Sequence, residues 1–432
     1  MRLILGVVMA LQCIFCTAQE CEFKNIEIDV QTKGSYPPCE PSIVINPKDP
    51  SEILGAAILD KIYLSKDSGK TWKVSTLESS MGVYGDPCLV SDTKGKYYYL
   101  HLSNPSGKGW SDESILDRIV CQYSKNGKKW TDGAGIGLNG EKDQDKEWAV
   151  VNPQNKEIYV TWTQFDKYNS KEEGDSTVIL FSKSKKKGKK FSEPVRISAL
   201  AGDCLDDDET TEGAVPAVGP NGEIYVAWAM NETIFFDRSL DGGETWLEND
   251  IKAGSIIGGW AQKIPGISRC NGMPVLKCDL SGGEHHGRLY INYTDQSRGE
   301  ENTDVWLIYS DNHGESWSVP VRVNQDSGMS HQFFTWIDVD TSSGYIYAVY
   351  YDRRNTSGNA TEVYLSVSRD GGITFTDYLI SESPFTPKTS VFFGDYNNIS
   401  AVNGVIRPIW TRYSDRKLRI FTALIAEEKL KN

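Results

Sequence analysis

The sequence is punctuated by one recurring turn. "SKDSGKTW" begins at Ser65 and returns as "SLDGGETW" at Ser239, "SDNHGESW" at Ser310 and "SRDGGITF" at Ser368. Two degenerate copies, "SKNGKKW" at Ser124 and "SKKKGKKF" at Ser184, bring the number to six; the latter has Lys186 where the Asp belongs. The six starts lie 59, 60, 55, 71 and 58 residues apart. Repetition at such a period describes an array of supersecondary units, none of which can bury its apolar face alone. Each copy follows an alternating apolar run, such as "KIYLS" or "EVYLSVS", that reads as a strand. In the turn itself the Asp side chain can bond nearby backbone N–H groups, Gly supplies a positive φ, and the closing Trp or Phe folds back under the hairpin. Its role is structural.

A second set of paired strands accompanies the turns. It runs from "CEPSIVINP" with "EILGAAIL" in the first unit to "GDYNNISAV" with "VIRPIWTR" in the seventh. The seventh unit continues as "KLRIFTALI" without a copy of the turn, and "EFKNIEIDV" (22–30) is placed to supply its missing outer strand. Seven four-stranded units predict an all-β, seven-bladed β-propeller whose ring is closed by the N-terminal strand. Six blades plus an extra sheet, or a repeat sandwich, are the alternatives. The 39 Gly and the 11% aromatic content suit many tight turns and pleated faces.

These turns on a propeller frame resemble the Asp boxes of the sialidase-like (BNR repeat) superfamily, over essentially the whole chain after residue 18. The resemblance implies a carbohydrate-active protein, with an oligo- or polysaccharide as partner. It does not choose among glycosidases, lyases and non-catalytic propellers.

"MRLILGVVMALQCIFCTAQE" has one Arg, an apolar run and a small-residue ending. It reads as a secretory signal cleaved after Ala18, leaving one propeller domain over 19–432 that is exported to the periplasm or beyond. No other stretch is apolar for long enough to span a bilayer, and the product is expected to be a monomer. The net charge of −13 argues against a nucleic-acid partner. In an oxidising compartment Cys270 and Cys278 of "CNGMPVLKC" are candidates for a disulfide, as are Cys39 and Cys88, which occupy matching points of adjacent units.

In a propeller the innermost strand of each blade starts, and the second strand ends, on one face near the axis. The strand starts carry Glu40, Asp86, Glu147, Glu212 and Asp395, with Tyr396 beside the last. The strand ends carry His101, Asp295, Arg353 and Arg412, with Arg354 alongside, and aromatics including Trp148 and Trp336 interleave. Carboxyl pairs serve glycoside hydrolysis, arginines grip carboxylates, and rings stack on sugars.

The sialidase resemblance implies a Tyr nucleophile, a Glu that helps it, an Asp acid/base and an arginine triad. Tyr396 and Glu212 match the first two, Asp86 or Glu40 the third, and Arg353, Arg354 and Arg412 are the candidate arginines. Asp395, Asp295, His101, Trp148 and Trp336 complete the expected substrate site. The chain departs from the family where an early Arg-Ile-Pro motif belongs. There it reads "YPPCEPSIVI", and the first Arg after residue 18 is Arg118. A terminal, acidic sugar hydrolysed by an exo-glycosidase is therefore the leading expectation, without strict sialidase chemistry.

A polysaccharide lyase using His101, Tyr396 and Arg353 or Arg412 is a second reading, and a non-catalytic glycan- or protein-binding propeller a third. No zinc spacing is present and no cofactor is expected, apart from a structural Ca²⁺ among Glu40, Asp86, Glu212 and Asp395. His285 and His286 fall on the opposite face. Insertions at 103–118 and 164–176 and the acidic segment 202–213 are expected to rim the mouth.

Overall fold

The computed structural model describes residues 22–185 and 187–430. The signal segment 1–18, with Cys13 and Cys16, lies outside the described residues, as do Cys21 and Lys186. No described helix is long and apolar enough to cross a membrane.

Seven antiparallel sheets stand in a ring, six of them built from four consecutive strands and the seventh joining the first described strand to the last ones. Their innermost strands are Ser42–Ile45, Cys88–Ser91, Asp143–Val151, Glu212–Val218, Val275–Cys278, Gln332–Val339 and Asn398–Val402, defining blades one to seven. Each packs against the next, and the last returns to the first. Side chains tie the inner strands together. The Leu89 N–H donates to Ser42 Oγ at 3.0 Å, and the Ile45 N–H donates to Ser400 Oγ at 3.1 Å. In blade seven the outer position is filled by Asn25–Val30, which pairs antiparallel with Lys417–Ala423. The core lies between blades, where apolar faces such as Ile158, Val160 and Trp162 are fully buried.

The recurring turn holds itself by hydrogen bonds. Ser239 Oγ donates to Asp241 Oδ1 (2.7 Å) and accepts from the Gly243 N–H (2.7 Å). Asp241 also accepts from the Thr245 N–H (2.9 Å) and hydroxyl (2.6 Å). Ser65, Asp67, Gly69 and Thr71 repeat the pattern. The turn does more than close a hairpin, because its second glycine lies flush against the preceding blade. Gly243 abuts Phe181 of the blade-three strand Thr177–Ser184, and Gly314 abuts Phe236 of Thr233–Ser239. Gly69 in blade one meets Arg407 and Leu424 at the end of the chain.

The expected disulfides do not form. Cys39, Cys88, Cys270 and Cys278 are all free thiols. Cys270 is buried in the connection into blade five, whereas Cys278 ends the inner strand Val275–Cys278 and is partly exposed. Cys39 and Cys88 are each buried in the apolar core beside their own inner strands.

Gly242 and Gly243 provide a test of the keying contact. Both have positive φ, 73° and 84°. A Cβ on Gly242 would meet nothing within 4 Å, whereas one on Gly243 would lie 2.6 Å from Phe181 Cε1. Gly242→Ala is expected to cost about 1 kcal/mol, from backbone conformation alone. Gly243→Ala is expected to cost about 2–4 kcal/mol, because Phe181 must also move. Urea unfolding of the two variants measures the difference.

Candidate functional site

One backbone device sets what reaches the axis. In blade three the pairing register slips between Asp145 and Trp148, so that Lys146 and Glu147 oppose a single residue of the second strand. The same slip falls between Glu212 and Val215 and between Phe333 and Trp336. These are β-bulges with the first extra residue in the left-handed region. Lys146 has φ 53°, Phe334 51° and Gly213 71°. Glu40 (50°) and Asp86 (47°), each two residues before its inner strand, hold the corresponding place in blades one and two. Left-handed backbone at bulky residues is strained, and such strain gathers at functional sites.

The left-handed residues of the first three blades line one mouth of about 170 Å³. Glu40, Asp86 and Lys146 meet there with Asp145 and with Arg269, which comes from the long connection into blade five. Asp395 of blade seven lies beneath them. Lys146 Nζ is 3.0 Å from Asp395 Oδ2 and 3.4 Å from Asp86 Oδ2, and all three side chains are at least nine-tenths buried. Arg269 grips Asp395 with two nitrogens, Nε to Oδ1 at 2.9 Å, and reaches Asp206 with a third. The Tyr168 hydroxyl donates to Asp206 at 2.5 Å, and the Asp395 N–H donates to Glu40 Oε1 at 3.2 Å.

Charge separates within this cluster. Burial pushes the Glu40 carboxyl well above its usual range. Asp86 and Asp395 add to that, and Lys146 and Arg269 offset only part. Burial opposes charge on Asp395 as well, but Arg269 and Lys146 overcome it and hold this carboxylate below the usual range. Burial likewise opposes charge on Lys146, and Asp86, Asp395 and Asp145 more than compensate. Asp145 is pushed up to about 7, chiefly by burial, with Lys146 pulling the other way. The positive charge between Asp86 and Asp395 is supplied by an ammonium, and no metal-binding group of three or more His, Cys, Asp or Glu occurs among the described residues.

Aromatic rings surround the charges. Tyr36, Trp110 and Phe392 line the mouth yet are 48%, 59% and 39% exposed, which is unusual for large apolar side chains. Trp110 lies 5.2 Å from Tyr168 and 6.3 Å from Tyr84, centroid to centroid. The insertions 103–118 and 164–176 supply Trp110 and Tyr168, and segment 202–213 supplies Asp206.

Several expected site residues lie elsewhere. Trp148 and Trp336 stack across the axis with centroids 4.4 Å apart and face a separate cavity of about 300 Å³ at the opposite end of the channel. Tyr396 packs against both and is 3% exposed. Its hydroxyl has no hydrogen-bond partner, nor has either carboxyl oxygen of Glu212, so the expected Tyr396–Glu212 bond is not made. Burial and the nearby Asp86 and Glu40 keep Tyr396 a neutral phenol.

The three arginines are dispersed. Arg354 is bound to Asp352 and Tyr350 within blade six and to Asp377 of its outer strand. Arg412 reaches Ser383 at the periphery, between the rings of Phe385 and Phe421. Arg353 bonds Thr361 and lies over Phe333. None of the three lines the mouth. His101 is fully buried, bonded to the Leu102 carbonyl and Gln122, and burial lowers it to about 4. Asp295 accepts from Ser297 at the end of its strand. His285 abuts Gly371 in a turn on the opposite face.

Sequence reasoning missed Lys146 and Arg269. The shared strand frame contains the signal for Lys146. Counting back two residues from Ser42, Cys88 and Trp148 gives Glu40, Asp86 and Lys146, whereas choosing the nearest carboxylate gives Glu147. Arg269 lies in the longest interval between turns, the 71 residues from Ser239 to Ser310.

No family model matches the chain. Among solved structures, an ulvan lyase, a polysaccharide lyase bound to -[GlcA(1-4)Rha3S]-, superposes with a TM-score of 0.57 at 11% identity, covering 94% of this chain and 96% of its own. A protein of unknown function from Dyadobacter fermentans gives 0.51 at 15% identity, over 80% and 97%. The NanB sialidase of Streptococcus pneumoniae gives 0.50 at 10% identity, over 87% and 83%. The chain is similar to these proteins in fold. The seven-bladed propeller read from the repeated turns is the architecture of the molecule.

Replacing Lys146 tests the cluster. Lys146→Met leaves Asp86 and Asp395 buried with one cation fewer, and a loss of about 3–5 kcal/mol is expected in urea unfolding near pH 7. Without the ammonium, the folded state binds protons more tightly at these carboxylates. Acidification to about pH 5 should therefore recover part of the loss. A loss independent of pH would mean that packing, not charge, is the cause.

Proposed function

We propose that the protein acts on carbohydrate at this mouth, as a glycoside hydrolase with Glu40 and Asp86 as its working pair. The observation that carries the reading is the meeting of two carboxyls, Glu40 with its affinity for a proton raised by burial and Asp86 beside an ammonium, under a rim of exposed rings. Glycoside cleavage asks for one group that gives a proton to the leaving oxygen and another that attacks the sugar or activates water. Glu40, whose carboxyl burial pushes well above its usual range, is the acid. Asp86, approached by the Lys146 ammonium, is the base or nucleophile. Arg269 and Lys146 fix Asp395 beneath them, and Trp110 and Tyr36 offer faces to the sugar. Tyr396, inaccessible behind Trp148 and Trp336, supports the septum rather than the reaction.

A lyase is the second reading. Tyr168 and Arg269 share the mouth, and an ulvan lyase shares the fold. Elimination needs a proton-transfer group and a cation beside the sugar acid. Both cationic groups are already held by carboxylates, which favours hydrolysis.

A glycan panel tests the proposal. Released reducing sugar supports hydrolysis, an unsaturated product absorbing in the ultraviolet supports elimination, and retention without turnover supports a binder. Glu40→Gln and Asp86→Asn should each lower kcat by at least about 100-fold if they are the acid and base. Wild-type turnover should fall on the alkaline side, as Glu40 loses its proton. Trp110→Ala should weaken glycan binding about 5- to 10-fold, the loss of one stacking face.

A further inference from the structure

The mouth does not stand alone. On one side it shares Trp110 and Tyr168 with a cavity of about 290 Å³. On the other it shares Arg269 with a cavity of about 510 Å³. The mouth, at 170 Å³, is smaller than the roughly 300–1,000 Å³ of an ordinary small-ligand pocket, while the three spaces together reach the top of that range. The mouth that holds the carboxyl pair adjoins both spaces through these shared residues.

The flanks have a sign. Asp112, Glu113 and Asp143 face Lys167 on the smaller side. Asp206, Asp207, Glu300 and Glu301 face Lys263 and Arg269 on the larger. The cations are engaged: Lys167 lies 3.6 Å from Asp143, Lys263 lies 3.5 Å from Glu300, and Arg269 is held by Asp206 and Asp395. Each flank therefore keeps an excess of negative charge, within a chain of net charge −13.

Two buried polar atoms at the larger flank lack partners. Asp206 Oδ1 is an acceptor on a side chain 5% exposed, and Trp260 Nε1 is a donor on one 2% exposed. Buried polar groups are normally satisfied.

We propose that these spaces form one cleft that receives an internal stretch of a polysaccharide lacking anionic groups, neutral or bearing amino sugars, with sugar units bound on both sides of the carboxyl pair. This rests on the carbohydrate reading above and narrows it. It departs from the terminal, acidic sugar that the sequence resemblance implied, because a polyanion would meet like charge at both ends.

The test measures kcat/KM for oligosaccharides of two to six units from neutral β-glucan, mannan, xylan and chitin and from chitosan, beside oligomers of alginate, pectate and ulvan. The expected result is a rise of about tenfold or more from the shortest to the longest uncharged or cationic chains, with products released from the interior, and little turnover of the polyanions. Exchanging charge in one flank with Glu300→Lys and Glu301→Lys, both exposed, should shrink the preference for non-anionic chains about tenfold. If short and long chains react alike, or if polyanions are preferred, the cleft proposal is overturned and the carbohydrate reading stands. If no glycan is bound or turned over, both fall. Binding of a catalytically silent Glu40→Gln protein to the same oligomers, followed by calorimetry, separates loss of binding from loss of chemistry.

Discussion

A buried ammonium organises the axis of this propeller. Lys146 reaches into the space where Asp86 and Asp395 would otherwise repel one another, and Arg269 takes the far side of Asp395. An ion pair removed from water gains little unless its remaining hydrogen-bonding groups are also met. Here the pairs are chained, so Lys146, Asp395 and Arg269 are each answered by two charged partners. The chain joins blades two, three and seven with the connection into blade five. Four distant stretches of sequence are thus held in one geometry, and the Glu40 carboxyl is pushed well above its usual range by burial and then by the neighbouring Asp86 and Asp395.

The aromatic septum completes this environment. Trp148, Trp336 and Tyr396 close the channel below the charges. Their rings keep bulk water from the underside of the cluster and lower the local dielectric. That strengthens every interaction above them and raises the cost of an unpaired charge. Residues that resembled a sugar platform in sequence serve instead as a floor, while the rings open to solvent come from the long insertions.

The fold was legible because its signals are local. A turn of eight residues, repeated six times and alternating with apolar strands, needs no distant partner to be read. The site was legible only in part. Glu40 and Asp86 are acids at strand starts, and they do meet. The others depended on parity. A bulge adds one residue to the inner strand, so Lys146 occupies the position that a search for carboxylates assigned to Glu147. Arg353, Arg354 and Arg412 end strands whose side chains alternate, and all three lie away from the mouth. Arg269 belongs to no repeat; its contact with Asp395 spans 126 residues, a relation that periodicity cannot express.

The glycine that ends each recurring turn rests on the blade before it, and Gly69 of the first blade rests on the end of the chain, where Arg407 also donates to the Ser68 carbonyl at 2.8 and 3.0 Å. Six such joints key neighbouring blades together, and the interface between blades six and seven, where the seventh blade carries no copy of the turn, is tied instead by contacts such as the Ala401 N–H donating to Asp338 Oδ2 at 2.8 Å. A permuted chain opened at an exposed connection between two other blades would inherit the same set of joints, and with them the same axis.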